Sequence, residues 1–192
     1  AVAAVSYRAG GINFRREIFS SPVDQVIVLR LTADRPRQLN FTATFTTPQK
    51  GTTTTESNDT LVLRGQNGEA FGIKGVLKFQ ALAHINAGRG RTVSDNGKIV
   101  VSDADSAVIL IAAATSYKNY KDISGDPDAI VRAHVNKARR SSFAKMRAAH
   151  TVEHQRLFGR VTLDLGINEA AKLPTDQRPA KFLEGADPHL AV

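Results

Sequence analysis

Short apolar stretches separated by turn-forming residues occupy the chain from residue 2 to residue 115. Residues 39–45 alternate between apolar and polar side chains, whereas residues 24–33 are apolar on both faces. Alternation predicts a half-buried strand, and a run that is apolar on both faces predicts a central strand of packed sheets. The predicted strands span residues 2–8, 12–20, 24–33, 39–45, 60–64, 76–85, 91–101 and 107–114.

The connections between these strands favour antiparallel pairing. Ala9-Gly10-Gly11 is a short connection of the hairpin type, and Asn96-Gly97 is a strong signal for a two-residue hairpin turn. Short strands joined by Gly, Asn and Pro turns are typical of an antiparallel β-sandwich. The polar, Thr-rich segment 47–60 has no apolar side chain with which to build a core, so we expect a mobile loop there.

The pattern becomes helical after residue 115. Asp126 precedes Pro127, which is the arrangement of an N-cap followed by proline at the first helical position. This helix is predicted to end near Arg140, and a second one to run from Ser142 to about Phe158. Both carry apolar stripes at steps of three and four: Ile130, Val131, His134, Val135 and Ala138 in the first, and Phe143, Met146, His150, His154 and Leu157 in the second.

Weaker signals follow the second helix. Residues 160–165 alternate and predict a last strand. A helical turn is predicted from Leu173, with Thr175 as its cap, and Asp187-Pro188 predicts the start of another helix. The sequence therefore predicts a mainly β fold with C-terminal helices.

Composition and charge exclude several classes of partner. The fractions of hydrophobic and charged residues, 42% and 23%, are ordinary for a globular protein. The net charge of +8 is densest between Lys137 and Arg147, where a solvated basic helix face explains it, because no nucleic-acid-binding motif accompanies it. The sequence has no cysteine and no apolar run long enough to span a bilayer. We predict no nucleic acid, membrane or cofactor as a partner.

His150-Thr-Val-Glu153-His154 matches the H-x-x-E-H zinc motif of the inverted zincins. Two histidines at i and i+4 lie on one helix face and can hold a zinc ion, with Glu153 as the base. Both histidines share their stripe with Phe143 and Met146, however, which indicates that this face packs against the fold. We therefore predict that these histidines pack within the helix, and we keep a zinc hydrolase as a remote alternative.

The segment that leaves the predicted strand 107–114 has the kinds of side chain that sugar sites use. Tyr117, Asn119, Tyr120 and Lys121 combine aromatic, amide and cationic groups on a loop anchored to a rigid strand. Asp103, Asp105, Asp122, Asp126 and Asp128 lie in predicted turns and caps, where aspartate has structural roles. The loop 117–121 is thus our candidate substrate-facing segment, and a loop packed on its neighbour is the alternative.

Several segments in a fixed order carry a resemblance to a known family. They are residues 5–34, then 112–117 followed by 125–128, then 149–166 followed by 173–178. Together they resemble the N-terminal β-sandwich and helical linker of glycoside hydrolase family 95, the α-L-fucosidases. The linker segment is the most specific of them, although His154 stands where that family most often has an aromatic residue.

The resemblance implies an antiparallel sandwich of the super-sandwich type over residues 1–117, a helical linker with a closing strand over 118–166, and the start of a catalytic (α/α)6 barrel over 167–192. The barrel of that family holds the catalytic groups, so no catalytic residue is assigned to this chain. The resemblance also implies a fucosylated glycan as the substrate of the parent enzyme, its barrel as the partner of this chain, and a secreted or periplasmic location.

Three functional hypotheses follow. In the first, the chain is the non-catalytic sandwich and linker of an α-L-fucosidase and is inactive alone. In the second, it is a stand-alone carbohydrate-binding sandwich, although the absence of tryptophan leaves few aromatic platforms. In the third, His150, Glu153 and His154 form a zinc hydrolase.

Overall fold

The computed structural model describes residues 1–164, 166–167 and 169–182. Their strands are β1 (Ala3–Ala9), β2 (Ile12–Ser21), β3 (Val26–Ala33), β4 (Leu39–Thr44), β5 (Lys50–Ser57), β6 (Thr60–Gln66), β7 (Lys78–Asn86), β8 (Arg91–Asp95), β9 (Lys98–Ala104) and β10 (Ser106–Thr115). Their helices are α1 (Pro127–Ala138), α2 (Phe143–Phe158), a 3₁₀ turn (Glu169–Lys172) and α3 (Arg178–Phe182). The predicted fold class, a β-sandwich followed by helices, is confirmed.

The strands form two antiparallel sheets. A seven-stranded sheet has the order β1-β2-β3-β10-β7-β6-β5, and a three-stranded sheet has the order β4-β9-β8. The central strand of the larger sheet, β10, pairs with β3 on one side and with β7 on the other. A strand in this position is covered on both faces, which explains why its sequence is apolar without alternation.

The seven-stranded sheet is the middle layer of three. On one face, Val28 and Leu110 share a buried cluster with Val131 and Val135 of α1. On the other face, the three-stranded sheet packs through residues such as Ile99. Two separate cores therefore hold the fold together, and the helical layer belongs to the first of them.

Two local signals are confirmed in detail. The Asp126 carboxylate accepts hydrogen bonds from the backbone N–H groups of Asp128, at 3.0 Å, and Ala129, at 3.1 Å, as an N-cap does. Asn96 and Gly97 have φ angles of +44° and +74° and join β8 to β9. Positive φ at both positions is the geometry of the tight hairpin turn that this pair favours.

The prediction of a mobile Thr-rich loop is wrong. Residues 50–57 form β5, the edge strand of the large sheet, and pair in register with β6 from Thr52↔Arg64 to Thr55↔Leu61. The backbone of β6 supplies the hydrogen bonds, and β-branched threonine suits a pleated edge that needs few apolar side chains. Low hydrophobicity therefore indicated exposure here, and not loss of structure.

The C-terminal predictions fare differently. The strand expected over 160–165 is wrong in its described part, because Arg160 lies in a turn and residues 161–164 have no regular structure. Alternating side chains favour a strand, but a strand also needs a neighbouring strand to which its backbone groups can hydrogen-bond. Thr175 is not a cap either, since α3 begins at Arg178. The helix predicted from Asp187 lies outside the described residues.

The chain groups into two compact units, Ala1–Gln155 and Arg156–Val192. The division into sandwich, linker and barrel segments stays a prediction. Across the described ranges, every helix is too short or too polar to cross a bilayer.

Candidate functional site

Two loops leave the same end of the seven-stranded sheet. The backbone N–H of Ser116, just after β10, donates to the carbonyl of Lys78 at 2.9 Å. The N–H of Lys78, the first residue of β7, donates in turn to Oγ of Ser116 at 3.1 Å. The end of segment 67–77 and the start of segment 116–126 therefore lie side by side on adjacent strands.

The candidate loop is held in shape by its own polar groups. Asn119 and Asp122 exchange two backbone hydrogen bonds, both 3.1 Å long. Oδ1 of Asn119 accepts from the N–H of Lys121 at 2.9 Å, and Oδ1 of Asp122 accepts from the N–H of Ser124 at 2.8 Å. Hydrogen bonds from Ser124 hold the pKa of the Asp122 carboxyl below its ordinary value. These hydrogen bonds within the loop hold its conformation.

The loop returns to the sheet at Gly125, whose N–H donates to the carbonyl of Ser116 at 2.8 Å. A Cβ atom at this position would lie 2.9 Å from the same carbonyl oxygen, closer than real Cβ contacts allow. Glycine is therefore required for this close approach.

The side chains predicted from the sequence have different surroundings within this loop. Tyr117 and Tyr120 are exposed by 55% and 82%. The Lys121 ammonium lies 5.2 Å from the centre of the Tyr120 ring, a cation–π contact. The carbonyl of the Asn119 side chain is used inside the loop, as described above. The loop can therefore offer aromatic faces and a cation to a ligand or to a protein surface.

The neighbouring loop 67–77 adds exposed apolar groups that the sequence reasoning did not single out. Ala70 and Ile73 exchange backbone hydrogen bonds of 3.1 Å and 2.9 Å around a turn at Phe71-Gly72. The turn leaves Phe71 fully exposed. Exposed apolar and aromatic residues of the two loops make up what we call the loop-end surface: Phe71, Ile73, Val76, Tyr117, Tyr120 and Ile123. The sequence signal that could have identified them is the presence of apolar residues inside a Gly-rich connection.

A charged cluster fixes the start of α1 at this same end of the sheet. Oδ1 of Asp128 accepts from the side-chain amide of Gln80 at 2.7 Å and from Arg64 at 3.0 Å. Arg132 bonds both Asp128 and Glu56. The hydrogen bond from Arg132 to Asp128 is the main cause of a pKa well below the ordinary range at that carboxyl. A second hydrogen bond from Arg132 lowers the pKa of Glu56. These ion pairs position the helix, and they favour the ionised forms of Asp128 and Glu56.

The zinc candidate has a packing role in the structure. The ring of His150 stacks on Phe19 with centres 4.8 Å apart, is 5% exposed, and has Nε2 2.9 Å from the carbonyl oxygen of Ala1. Met146, one turn earlier, is buried in the same cluster. In the part of the chain that the structure describes, no three His, Asp or Glu side chains converge as metal ligands would.

The chain is similar to proteins of carbohydrate metabolism. It is 29% identical to Alpha-L-fucosidase 2 of Arabidopsis thaliana over 219 residues, which cover 99% of this chain and 26% of that protein. A solved structure, "Putative kojibiose phosphorylase from human microbiome", superposes with a TM-score of 0.51 at 9% identity, covering 82% of this chain and 23% of that one. At such low identity the superposition shows the fold alone. The chain spans about a quarter of the length of both.

The family match covers all ten strands described for the sandwich and the candidate loop up to Tyr120. Residues 1–120 match the family described as "Glycosyl hydrolase family 65, N-terminal domain". The more specific resemblance to glycoside hydrolase family 95 stays a prediction. Because the match includes more than half of the residues of this chain, the chain belongs to the family described as the N-terminal domain of glycosyl hydrolase family 65.

Proposed function

We propose that this chain is the non-catalytic N-terminal part of a glycoside hydrolase that removes terminal α-L-fucosyl residues with inversion, as family 95 enzymes do. The similarity to a named α-L-fucosidase along 99% of the chain supports the substrate class. A secreted or periplasmic location accords with an enzyme that acts on external glycans. The domain would carry no catalytic group itself.

The observation that carries this proposal is the loop-end surface. Six apolar or aromatic side chains are exposed there, and Phe71 has a relative exposure of 104%. Exposed apolar groups gathered on two adjacent loops are a feature of interaction surfaces. Rigid anchoring of both loops to β7 and β10 gives that surface a fixed shape. We assign it to contact with the catalytic barrel of the same polypeptide, with Tyr117, Asn119, Tyr120 and Lys121 at the rim of the substrate pocket.

The first test compares the 192-residue chain with the native gene product purified from its source. Hydrolysis of 4-nitrophenyl α-L-fucoside is expected from the native product and is expected to be absent from the 192-residue chain. Turnover by the 192-residue chain alone would contradict the non-catalytic role. A native product without fucosidase activity would contradict the substrate class.

The second test concerns the loop in the native enzyme. Tyr120→Ala is expected to raise KM about 3- to 10-fold, the effect of one lost aromatic contact, while Tyr120→Phe keeps the ring and stays near the native value. Val93→Ala is the control, because Val93 has 39% exposure on a strand of the other sheet. Equal KM values for Tyr120→Ala and Val93→Ala would show that the loop does not form part of the pocket.

The stand-alone carbohydrate-binding alternative has one supporting observation, the exposed Tyr120 ring with Lys121 beside it. It requires saturable binding of fucosylated oligosaccharides by the 192-residue chain. Flat calorimetric titrations are expected under the proposal made here, because the pocket would be completed by the barrel.

A further inference from the structure

The two sheets of the sandwich differ in width, and the narrower one leaves part of the wider one open. Fully buried residues of the inter-sheet core come from β6, β7 and β10, for example Leu61, Ile85 and Ala107. Leu29 and Leu31 of β3 are only partly buried against this core, and so is Phe14 of β2. The cover supplied by the three-stranded sheet therefore ends above β3.

The uncovered part of the sheet is mainly apolar, with Arg16 among its apolar residues. Strand register places Ile18 beside Leu29, and Tyr7 beside Phe14, on the face that continues the inter-sheet core. The open face consists of Val5, Tyr7, Phe14, Ile18, Ile27 and Leu31, and four of these are exposed by 58% (Val5), 37% (Tyr7), 41% (Ile18) and 39% (Ile27). On the reverse face, Phe19 and Val28 are buried beneath α1 and α2. One side of β2 and β3 is thus covered, whereas every residue of β1 is exposed.

A groove of about 250 Å³ runs between this open face and β4. Its floor includes the stacked rings of Tyr7 and Phe14, whose centres are 5.2 Å apart. Arg16 lies 5.0 Å from the centre of the Tyr7 ring and donates to its hydroxyl. The wall is β4, where Leu39 and Phe41 line the groove.

The wall of the groove is an open sheet edge. Among the described strands, β4 pairs with β9 alone, so its other side presents backbone N–H and C=O groups in extended geometry. An open edge beside an apolar floor is the arrangement that accepts an added strand, because the edge supplies hydrogen bonds and the floor receives every second side chain.

We propose that the edge of β4 takes up a further β-strand, which extends the three-stranded sheet over the open face of β1–β3. The open face continues the core between the two sheets, so the new strand would complete an existing interface. The occupant is an extended segment, apolar at alternate positions, of the longer polypeptide proposed above, so this inference rests on the proposed function. The chain spans about a quarter of the relatives it matches, which leaves ample sequence for such a segment.

The charge of the groove indicates which side chains the added strand carries. Arg16 lines the groove, and no acidic side chain does so among its described lining residues. In the contacts described, Arg16 meets only the neutral ring and hydroxyl of Tyr7. The added strand is therefore expected to carry Asp or Glu where it passes Arg16.

The test measures backbone hydrogen exchange at residues 39–44 in the native gene product and in the 192-residue chain. Added pairing at β4 is expected to slow exchange there at least about tenfold in the native product. Ile18→Lys in the native product, which places a charge under the strand, is expected to restore fast exchange. Val93→Lys, at a strand position of similar exposure on β8, is the control and should leave the rates unchanged.

Three results would overturn the proposal. The first is equal exchange at β4 in both proteins, whatever the length of the native product. The second is protection that depends on protein concentration and accompanies a dimeric mass, which would assign the face to a second copy. The third is protection of Tyr7 and Phe14 only after a glycan is added, with β4 still exchanging fast. Should Ile18→Lys fail to fold, Ile18→Thr serves in its place.

Discussion

The side-chain amide of Gln80 donates a hydrogen bond of 2.7 Å to the Asp128 carboxylate, and so joins the first turn of α1 to β7. Arg64 of β6 bonds the same carboxylate oxygen at 3.0 Å. The helix layer is therefore attached to the sheet by a polar clamp at one end, in addition to the apolar contacts of Val131 and Val135.

Replacing the shared acceptor is expected to weaken this clamp. Asp128→Ala should lower the free energy of unfolding by about 1–2 kcal/mol, a value discounted for the partial exposure of the carboxylate. Urea unfolding followed by circular dichroism measures the change. Asp95→Ala, at an exposed strand end, is the matched control and should lie within about 0.5 kcal/mol of the unmodified chain. Equal losses in the two variants would contradict the clamp.

Acid should destabilise the fold through the same carboxylates. The pKa values of Asp128 and Glu56 are lower in the folded chain than their ordinary values of 3.8 and 4.5. The unfolded chain therefore binds more protons as pH falls below these ordinary values, and stability is lost progressively through the folded pKa values. Unfolding midpoints measured between pH 6 and pH 3 should decrease, and less steeply in Asp128→Asn.

His84 adds a pH dependence at higher pH. Burial lowers the pKa of its imidazole below 6.5, although the carboxylate of Asp59, 3.7 Å away, partly opposes this effect. Its contribution to stability is complete above pH 6.5 and falls as pH decreases through that value, because the unfolded chain takes up the proton first. His84→Gln should flatten the stability profile between pH 7.5 and pH 5.5. An unchanged slope would show that His84 is not its source.

The second helix should be energetically part of the sandwich core. Met146 is 2% exposed, whereas Val152 in the same helix is 66% exposed. Met146→Ala is expected to cost about 2–5 kcal/mol of unfolding free energy, the range for a large buried side chain. Val152→Ala should change it by less than about 0.5 kcal/mol. Thermal unfolding measures both variants, and similar losses of stability in Met146→Ala and Val152→Ala would mean that α2 is not packed as described.

His150 gives a direct test of the zinc alternative. Because its ring packs on Phe19, His150→Ala is expected to lower the melting temperature in buffer that contains a chelator. Added zinc should leave the melting temperature of the unmodified chain unchanged. Stoichiometric zinc that raises this temperature, and loses that effect in His150→Ala, would restore the metal-site hypothesis.

Sequence patterns predicted the features that short segments determine. Asp126-Pro127 marked the start of α1 and Asn96-Gly97 marked a hairpin, because each signal depends on adjacent residues alone. The Thr52–Thr55 segment was misjudged because a sheet edge gains its stability from the partner strand β6, which the local sequence does not reveal.

The candidate site was only half visible in the sequence. Tyr117 and Tyr120 stood out as aromatic residues on a loop, and the structure shows both exposed. Phe71 and Ile73 did not stand out, because their role depends on the pairing of β7 with β10 that brings the two loops together. Strand order between distant segments is set by tertiary packing, so no local pattern predicts it.

The central position of β10 has a consequence for how the chain reaches its native state. Ile27 pairs with Ile111, so the partner strand of β3 is synthesised only after six intervening strands, β4 to β9. Until then the early meander β1–β3 exposes an apolar edge to other chains, and the non-local closure step is entropically slow, on the order of milliseconds to seconds. Folding yield should therefore depend on how soon residues 106–115 are synthesised and free to pair, since that one strand joins the two halves of the sheet.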